Sequence, residues 1–316
     1  MSRILVTGGA GFIGSHLVDS LVGRDLPTIV FDNLSNGSLE NIKNSMGGKN
    51  FVFVQSDLLD INAVLDVIRE CDIVWHLAAN PEVRISSIFP EIHFNQNILA
   101  TYNLLEAIRK NGNVKVFGFT STSTVYGEAS EIPTPEDYAP LKPISIYGAS
   151  KLACEALISS YAHTYGFKAV IYRLANIVGS RSRHGVIYDF VKKLKNDSKQ
   201  LEILGDGTQT KSYLYIRDCI DAMKLGLERS SKQVEIYNVG SDDQINVLRI
   251  AKIVIEEMKL KDVMFNITGG VDGGRGWMGD IKMMLLDIGK LKRLGWKPNL
   301  NSEDTVRFAT KELLSA

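Results

Sequence analysis

Short apolar runs alternate with stretches of helical periodicity along the first half of the chain. RILVT (3–7), TIVFD (28–32), FVFVQSD (51–57), DIVWHLA (72–78), KVFGFTS (115–121) and AVIYRLA (169–175) are β-branched, largely unalternating, and end in polar or small residues. Such runs predict strands buried on both faces. Between them, residues 15–22, 61–69, 95–110 and 147–165 carry apolar side chains at helical spacing, as with Leu104, Leu105 and Ile108. Strand and helix in regular alternation predict a doubly wound α/β fold around a parallel sheet.

After about residue 176 the pattern changes. Gly and polar residues thicken in GSRSRHG, LGDGTQT, GSDDQ and GGVDGGRGWMGD, and the elements between them shorten. A first domain over 1–175 and a smaller α/β lobe over 176–316 are expected, with 212–238 a stretch that can return to the first. The composition, 45% hydrophobic against 23% charged over 316 residues, suits a globular core. With 36 Lys+Arg against 36 Asp+Glu, nucleic acid is not an expected partner, and any anionic ligand must be held locally. Cys71, Cys154 and Cys219 lie far apart, and neither they nor the five histidines show metal-ligand spacing. No metal site is expected, and the cysteines read as buried thiols. MSRILVTGGAGFIG has no leader pattern, and no apolar run nears ~18 residues. The expectation is a cytoplasmic protein with no membrane partner.

Gly8, Gly11 and Gly14 form G-x-x-G-x-x-G directly after the first strand and at the start of a helix. Glycine there permits a tight turn, brings backbone N–H groups close to a pyrophosphate, and lets the helix pack on the strand. Asp32 ends the second strand 18 positions after Gly14, close to the spacing of about 20 for an acid that binds the adenosine ribose. A dinucleotide cofactor and a Rossmann-type sheet follow. The acid would repel a 2′-phosphate and Asn33 follows it, so NAD is expected over NADP. Asp57, ending the third strand, either contacts the adenine or caps the helix from Leu58 onward.

Tyr147 and Lys151 form Y-x-x-x-K. Four residues of helix give about 400° and about 6 Å of rise, which puts both side chains on one face. Lysine's charge beside the phenol is expected to lower its pKa toward the range of a general base. The chain holds three such pairs. Tyr138/Lys142 spans Pro140 and is not expected to be helical, and Tyr188/Lys192 falls outside the cofactor domain. Only Tyr147/Lys151 opens a long periodic helix after a strand ending in Thr120-Ser121-Thr122-Ser123-Thr124.

TGGAGFIG, FDNLSN, HLAA, TSTSTVYG, YGASK and RLANIVG, in this order, resemble the extended short-chain dehydrogenase/reductase family, specifically its NAD-dependent nucleotide-sugar epimerases and dehydratases. GDGTQT, YLYIRD and GGRGWMGD carry the likeness into the second lobe. The resemblance implies Tyr147 as base, Lys151 at the nicotinamide ribose, and Thr122, or else Ser121 or Ser123, at the reacting sugar hydroxyl. It implies Phe12 and Ile13 at the pyrophosphate, Asp57 and Leu58 at the adenine, and Asn33, Ser35, Asn36, Gly37, Leu77, Ala78, Ala79 and Thr120 along the cofactor, with Asn97 in support.

For a UDP-sugar substrate the resemblance implies Asn176, Lys211, Arg275 and Asp280. Lys211 stands where many relatives have arginine, keeping the charge without the bidentate geometry. Arg275 is either a second phosphate contact or a solvated loop arginine. Arg84 is either a substrate contact or a surface residue, His184 a nucleotide contact or structural, and Trp277 a pocket wall or a loop anchor. In the family's 4,6-dehydratases an Asp-Glu pair follows the hydroxyl residue; here Ser123-Thr124 follows. The sequence therefore resembles the 4-epimerases, for which UDP-glucose and UDP-galactose are the commonest pair. UDP-N-acetylhexosamines and UDP-uronic acids are the alternative substrates, and another NAD-dependent nucleotide-sugar dehydratase or decarboxylase is the alternative activity. A non-catalytic NAD-sensing protein would typically lack the Tyr/Lys pair. Family members commonly pair through helices matching 95–110 and 147–165, which here carry Ala153, Ala156, Leu157 and Ser160, so a homodimer is expected.

Overall fold

A computed structural model describes residues 3–315. The apolar runs form β1 (Ile4–Thr7), β2 (Thr28–Asp32), β3 (Phe51–Gln55), β4 (Ile73–His76), β5 (Val116–Thr122) and β6 (Lys168–Leu174). With Val234–Val239 they make a seven-stranded parallel sheet in the order Val234–Val239, β6, β5, β4, β1, β2, β3. The order reverses between β1 and β4, and in such sheets ligands bind beyond the carboxyl ends of the strands at that reversal. Helix α1 (Phe12–Val22) follows β1. Buried Leu104, Leu105 and Ile108 from the helix Ala100–Asn111 join Phe117 and Phe119 of β5 in the core.

The chain divides into two compact units, and not by a single cut at 175. The first comprises the residues up to Val125, Ile146–Arg173 and Met223–Tyr237; the second comprises Tyr126–Ser145, Leu174–Ala222 and the residues from Asn238 on. The second unit has short strands, as expected, but its helices Val186–Asn196, Val247–Glu257 and Ser302–Ser315 run 11, 11 and 14 residues. They close over their own apolar core, including Phe190, Leu201, Ile250, Val254 and Val306.

One helix departs from the sequence pattern. Residues 94–99 form a π-helical turn before the α-helix Ala100–Asn111. Such turns recur at functional sites, and this one carries Asn97, 2% exposed.

Beneath the site, β1 and β4 pair so that Thr7 lies beside His76. The imidazole is 1% exposed and bonded at both nitrogens, to Thr7 Oγ1 at 2.7 Å and Thr101 Oγ1 at 2.9 Å. Burial, helped by the positive charge of Lys151, pulls its pKa down to about 3. The folded state thus holds His76 neutral. The unfolded chain protonates it below about 6.5, so stability is lost as pH falls from there toward 3. At pH 5 the loss should be about 2 kcal/mol. Urea titrations at pH 7 and pH 5 should show an acid loss smaller by that amount in His76→Asn; an equal loss in both proteins would refute the assignment.

Candidate active site

β1 ends at Thr7, and the chain turns at Gly8, where φ is +69°. A Cβ on Gly8 would stand 2.6 Å from the Ala78 nitrogen, and one on Gly14 would stand 2.1 Å from the Gly8 oxygen. The turn therefore closes against the end of β4 and against α1 only with glycine at both places. No side chain caps α1 at Gly11, so the amides of its first turn, at Phe12 and Ile13, remain for an anion. Asp32 is 9% exposed; its Oδ2 accepts from the Ala10 N–H at 2.9 Å and its Oδ1 from the Leu34 N–H at 2.8 Å. Burial raises the Asp32 carboxyl, and those two N–H groups oppose the rise. A fixed acid beside a glycine cradle and open helix amides fits an adenosine diphosphate moiety.

Asn33 Oδ1 accepts from the Ser35 N–H at 2.9 Å, and Asn33 Nδ2 donates to Asp57 Oδ2 at 2.8 Å. Gly37 approaches the same acid closely: a Cβ there would lie 3.0 Å from Asp32 Oδ1. Residues 33–37 and Asp57 are thus gathered around Asp32. Asp57 is not a helix cap, however. The helix Ile61–Ile68 is capped by Asp60, whose carboxylate accepts from the Asn62 and Ala63 amides, while Asp57 Oδ1 accepts from the Leu59 N–H at 2.9 Å.

At the carboxyl end of β5 the pleat sorts the hydroxyls, since alternate residues face opposite sides. Thr120 Oγ1 donates to the His76 carbonyl at 3.5 Å. Thr122 is hydrogen-bonded to the Tyr147 side chain and lies 3.2 Å from Thr124 Oγ1. Ser121 points the other way and donates to Glu155 Oε1 at 2.5 Å, which removes it as a substitute for Thr122. Lys151 is 2% exposed, with Nζ 4.2 Å from the Phe119 ring centroid. Burial lowers it to about 8, against the opposing influence of Cys154 and Glu155.

The phenol does not follow the sequence expectation. Burial pushes Tyr147 up to about 12, and the Thr122 hydrogen bond opposes this only in part. Desolvation of the anion outweighs what its neighbours supply.

Asn97 organises the start of this helix. Its Oδ1 accepts from the Asn80 N–H at 2.9 Å, and its Nδ2 donates to Ser150 Oγ at 2.9 Å. Ser150 Oγ in turn donates to the Tyr147 carbonyl at 2.8 Å. Sequence reasoning misses Glu155, four residues beyond Lys151 and bound to Arg173 of β6 at 2.7 Å with both side chains at most 5% exposed. The one available signal was a charge on the buried face of a helix. Arg84 pairs with Glu82 at 3.3 Å.

In the second unit, Asn176 Nδ2 donates to the Ser212 carbonyl at 3.1 Å, next to Lys211. Lys211 Nζ donates to Asp280 Oδ1 at 2.5 Å and lies 5.5 Å from the Trp277 ring centroid. Arg275 bonds the Asp280 carbonyl at 2.7 Å and the carboxylates of Glu128 and Asp272. Arg275, 14% exposed at the side chain, is not a solvated loop arginine. Asp280, 3% exposed with Oδ2 accepting from the Gly276 N–H, is the internal counter-ion of this cluster rather than a contact for an anionic substrate.

Among the described residues, no cluster of His, Cys, Asp and Glu could hold a metal ion, and no helix is long and apolar enough to cross a membrane. Cys71, Cys154 and Cys219 are buried.

A reversal-point glycine turn, a buried acid beside it and a Thr–Tyr–Lys group accompany a Rossmann-type enzyme of the short-chain dehydrogenase/reductase class that works with NAD. The model of the NAD dependent epimerase/dehydratase family matches residues 4–240, and the chain belongs to that family. It is 33% identical over 309 residues to a putative UDP-glucose 4-epimerase of Methanocaldococcus jannaschii, covering 96% of each chain. It is 42% identical to a UDP-galactose 4-epimerase of known crystal structure, with a TM-score of 0.88 and 99% of each chain covered. A UDP-glucuronic acid 4-epimerase variant from Bacillus cereus, solved with a fluorinated UDP-sugar and NAD, gives a TM-score of 0.89 at 30% identity, again over 99% of each chain.

Proposed function

We propose that the protein is a 4-epimerase interconverting UDP-glucose and UDP-galactose. The observation that carries the reading is the Thr122–Tyr147 contact followed by Ser123 and Thr124. Removal of water across C5 and C6 of a sugar needs an acid/base pair beside the reacting hydroxyl. Two hydroxyls cannot perform that proton traffic, whereas epimerisation at C4 needs only one base. The likeness to 4-epimerases at 42% and 33% identity supports the same choice.

Tyr147 takes the proton from the sugar O4 and later returns it, which requires that the positive charges of Lys151 and of bound NAD offset the burial that raises its phenol, while Thr122 holds that oxygen in line with the phenol. Gly8 to Gly14, Asp32 and Lys151 would hold NAD, which would supply a reversible two-electron acceptor for the C4 hydrogen, so no external oxidant would be consumed. Lys151 is charged below about 8 and fixed over Phe119, which suits it to the nicotinamide ribose. Lys211 and Arg275 bind the diphosphate, and Asn176 contacts the nucleotide sugar.

Incubation with a panel of UDP-, dTDP- and GDP-sugars tests this. UDP-galactose should give UDP-glucose with no added oxidant. Turnover confined to UDP-N-acetylhexosamines or UDP-uronic acids would reassign the sugar, and a 4-keto-6-deoxy product would overturn the epimerase reading.

A homodimer in the cytoplasm belongs to the same proposal. Phe94, Tyr102 and Tyr165, on the elements that pair in the family, are 57%, 43% and 49% exposed, and three buried cysteines far apart in the chain suit a reducing compartment. Light scattering should give twice the monomer mass.

A further inference from the structure

One buried polar group beside Tyr147 has no part in the mechanism above. His93 is 0% exposed and ends the short helix Pro90–His93 just before the π-helical turn. Its ring meets that of Tyr147 edge to face, with centroids 5.7 Å apart and planes at 72°. Its Nδ1 lies 3.2 Å from Asn97 Nδ2.

The hydrogen bonding fixes the imidazole's form. The Asn80 N–H donates to Asn97 Oδ1, which settles the orientation of that amide. Asn97 Nδ2 then faces both Ser150 Oγ and His93 Nδ1. An amide NH₂ has two protons and no lone pair to offer, so Nδ1 must accept and the proton of the neutral ring sits on Nε2. Nε2 is buried and lacks a partner in hydrogen-bonding geometry. A second proton on the ring would set donor against donor at Asn97.

Asn97 consequently controls Tyr147 from two sides, through Ser150 to its backbone carbonyl and through His93 to its ring. We propose that His93 is a positioning residue for the base: its neutral imidazole, locked through Nδ1 to Asn97, sets the angle at which the Tyr147 phenol meets the sugar hydroxyl. The inference rests on the epimerase reading of Tyr147. Burial lowers the His93 pKa, while the Glu82 backbone and charge oppose the shift. The elements around it carry Arg84 on one side and, on the Tyr147 helix, Tyr147, Lys151, Cys154 and Glu155 in its first three turns and Tyr161, His163 and Tyr165 toward its far end, with Glu91 on its own helix.

Two substitutions separate positioning from packing. His93→Phe keeps an aromatic edge against Tyr147 but loses the acceptor. His93→Asn loses the ring but retains a polar acceptor at the Nδ1 position. Positioning predicts that His93→Phe loses about tenfold in kcat with KM for the sugar nucleotide and bound NAD unchanged, and that His93→Asn recovers most of the loss. A role in packing alone predicts the reverse order, with His93→Phe near wild type and His93→Asn impaired and less stable to heat; that result would overturn the proposal. A wild-type enzyme that turns over no sugar nucleotide would instead overturn the functional reading, and this inference with it.

Discussion

Tyr147→Phe should lower turnover on the order of 10³-fold while the purified protein keeps its NAD. The substitution removes one oxygen from a side chain outside the glycine turn and Asp32, which belong to β1, α1 and β2, and leaves Lys151 in place. The ring's edge-to-face contact with His93 survives in phenylalanine, so stability should change little. Measured kcat with NAD content and Tm on the same preparation checks this. Residual turnover within tenfold of wild type would show that another group removes the O4 proton.

The second large effect is on stability. Glu155 of the Tyr147 helix meets Arg173 of β6 through Nε and Nη2 at 2.7–3.2 Å, and Ser121 of β5 donates to the same carboxylate. The pair is 5% and 4% exposed. Removing one partner strands the other charge in the core, at a cost of about 3–5 kcal/mol. Glu155→Leu alone should therefore lower Tm by on the order of 10 °C. Glu155→Leu with Arg173→Met should regain most of it, because the desolvation penalty is then gone from both sides. If the double variant were no more stable than the single one, the lost stability would not lie in the buried charge. The three residues join the strand of Thr122 to the helix of Tyr147 and Lys151, so the single variant should also lose activity below its melting range.

The strands were legible to within one or two residues because strands buried on both faces are written as unbroken β-branched runs. The helix over 95–110 was legible as a helix, but its π-helical turn was not. That turn is stabilised by what Asn97 meets at Asn80 and Ser150, which lie 17 and 53 residues away in the chain. Of the two readings of Asp57, adenine contact or cap, only the helix start at Ile61 removes the second, because Asp57 and Asp60 are equally good caps by composition. Tyr147's elevated pKa was invisible for the opposite reason. Spacing reports that a lysine is near a phenol, but not how little water surrounds it.

Sequence alone determined the order of strands and helices along the chain, the glycine turn with Asp32 at the end of the next strand, and that Tyr147/Lys151, alone of three such pairs, opens a long helix, all of which depend on local pattern and short spacing. The tertiary structure decided which hydroxyl of the β5 cluster faces the phenol, that Asp280 is a counter-ion to Lys211, and that a histidine, an asparagine and a serine converge on the base. These outcomes depend on pleat direction, burial and contacts between elements distant in the chain, which pair residues whose spacing in sequence carries no trace of the meeting.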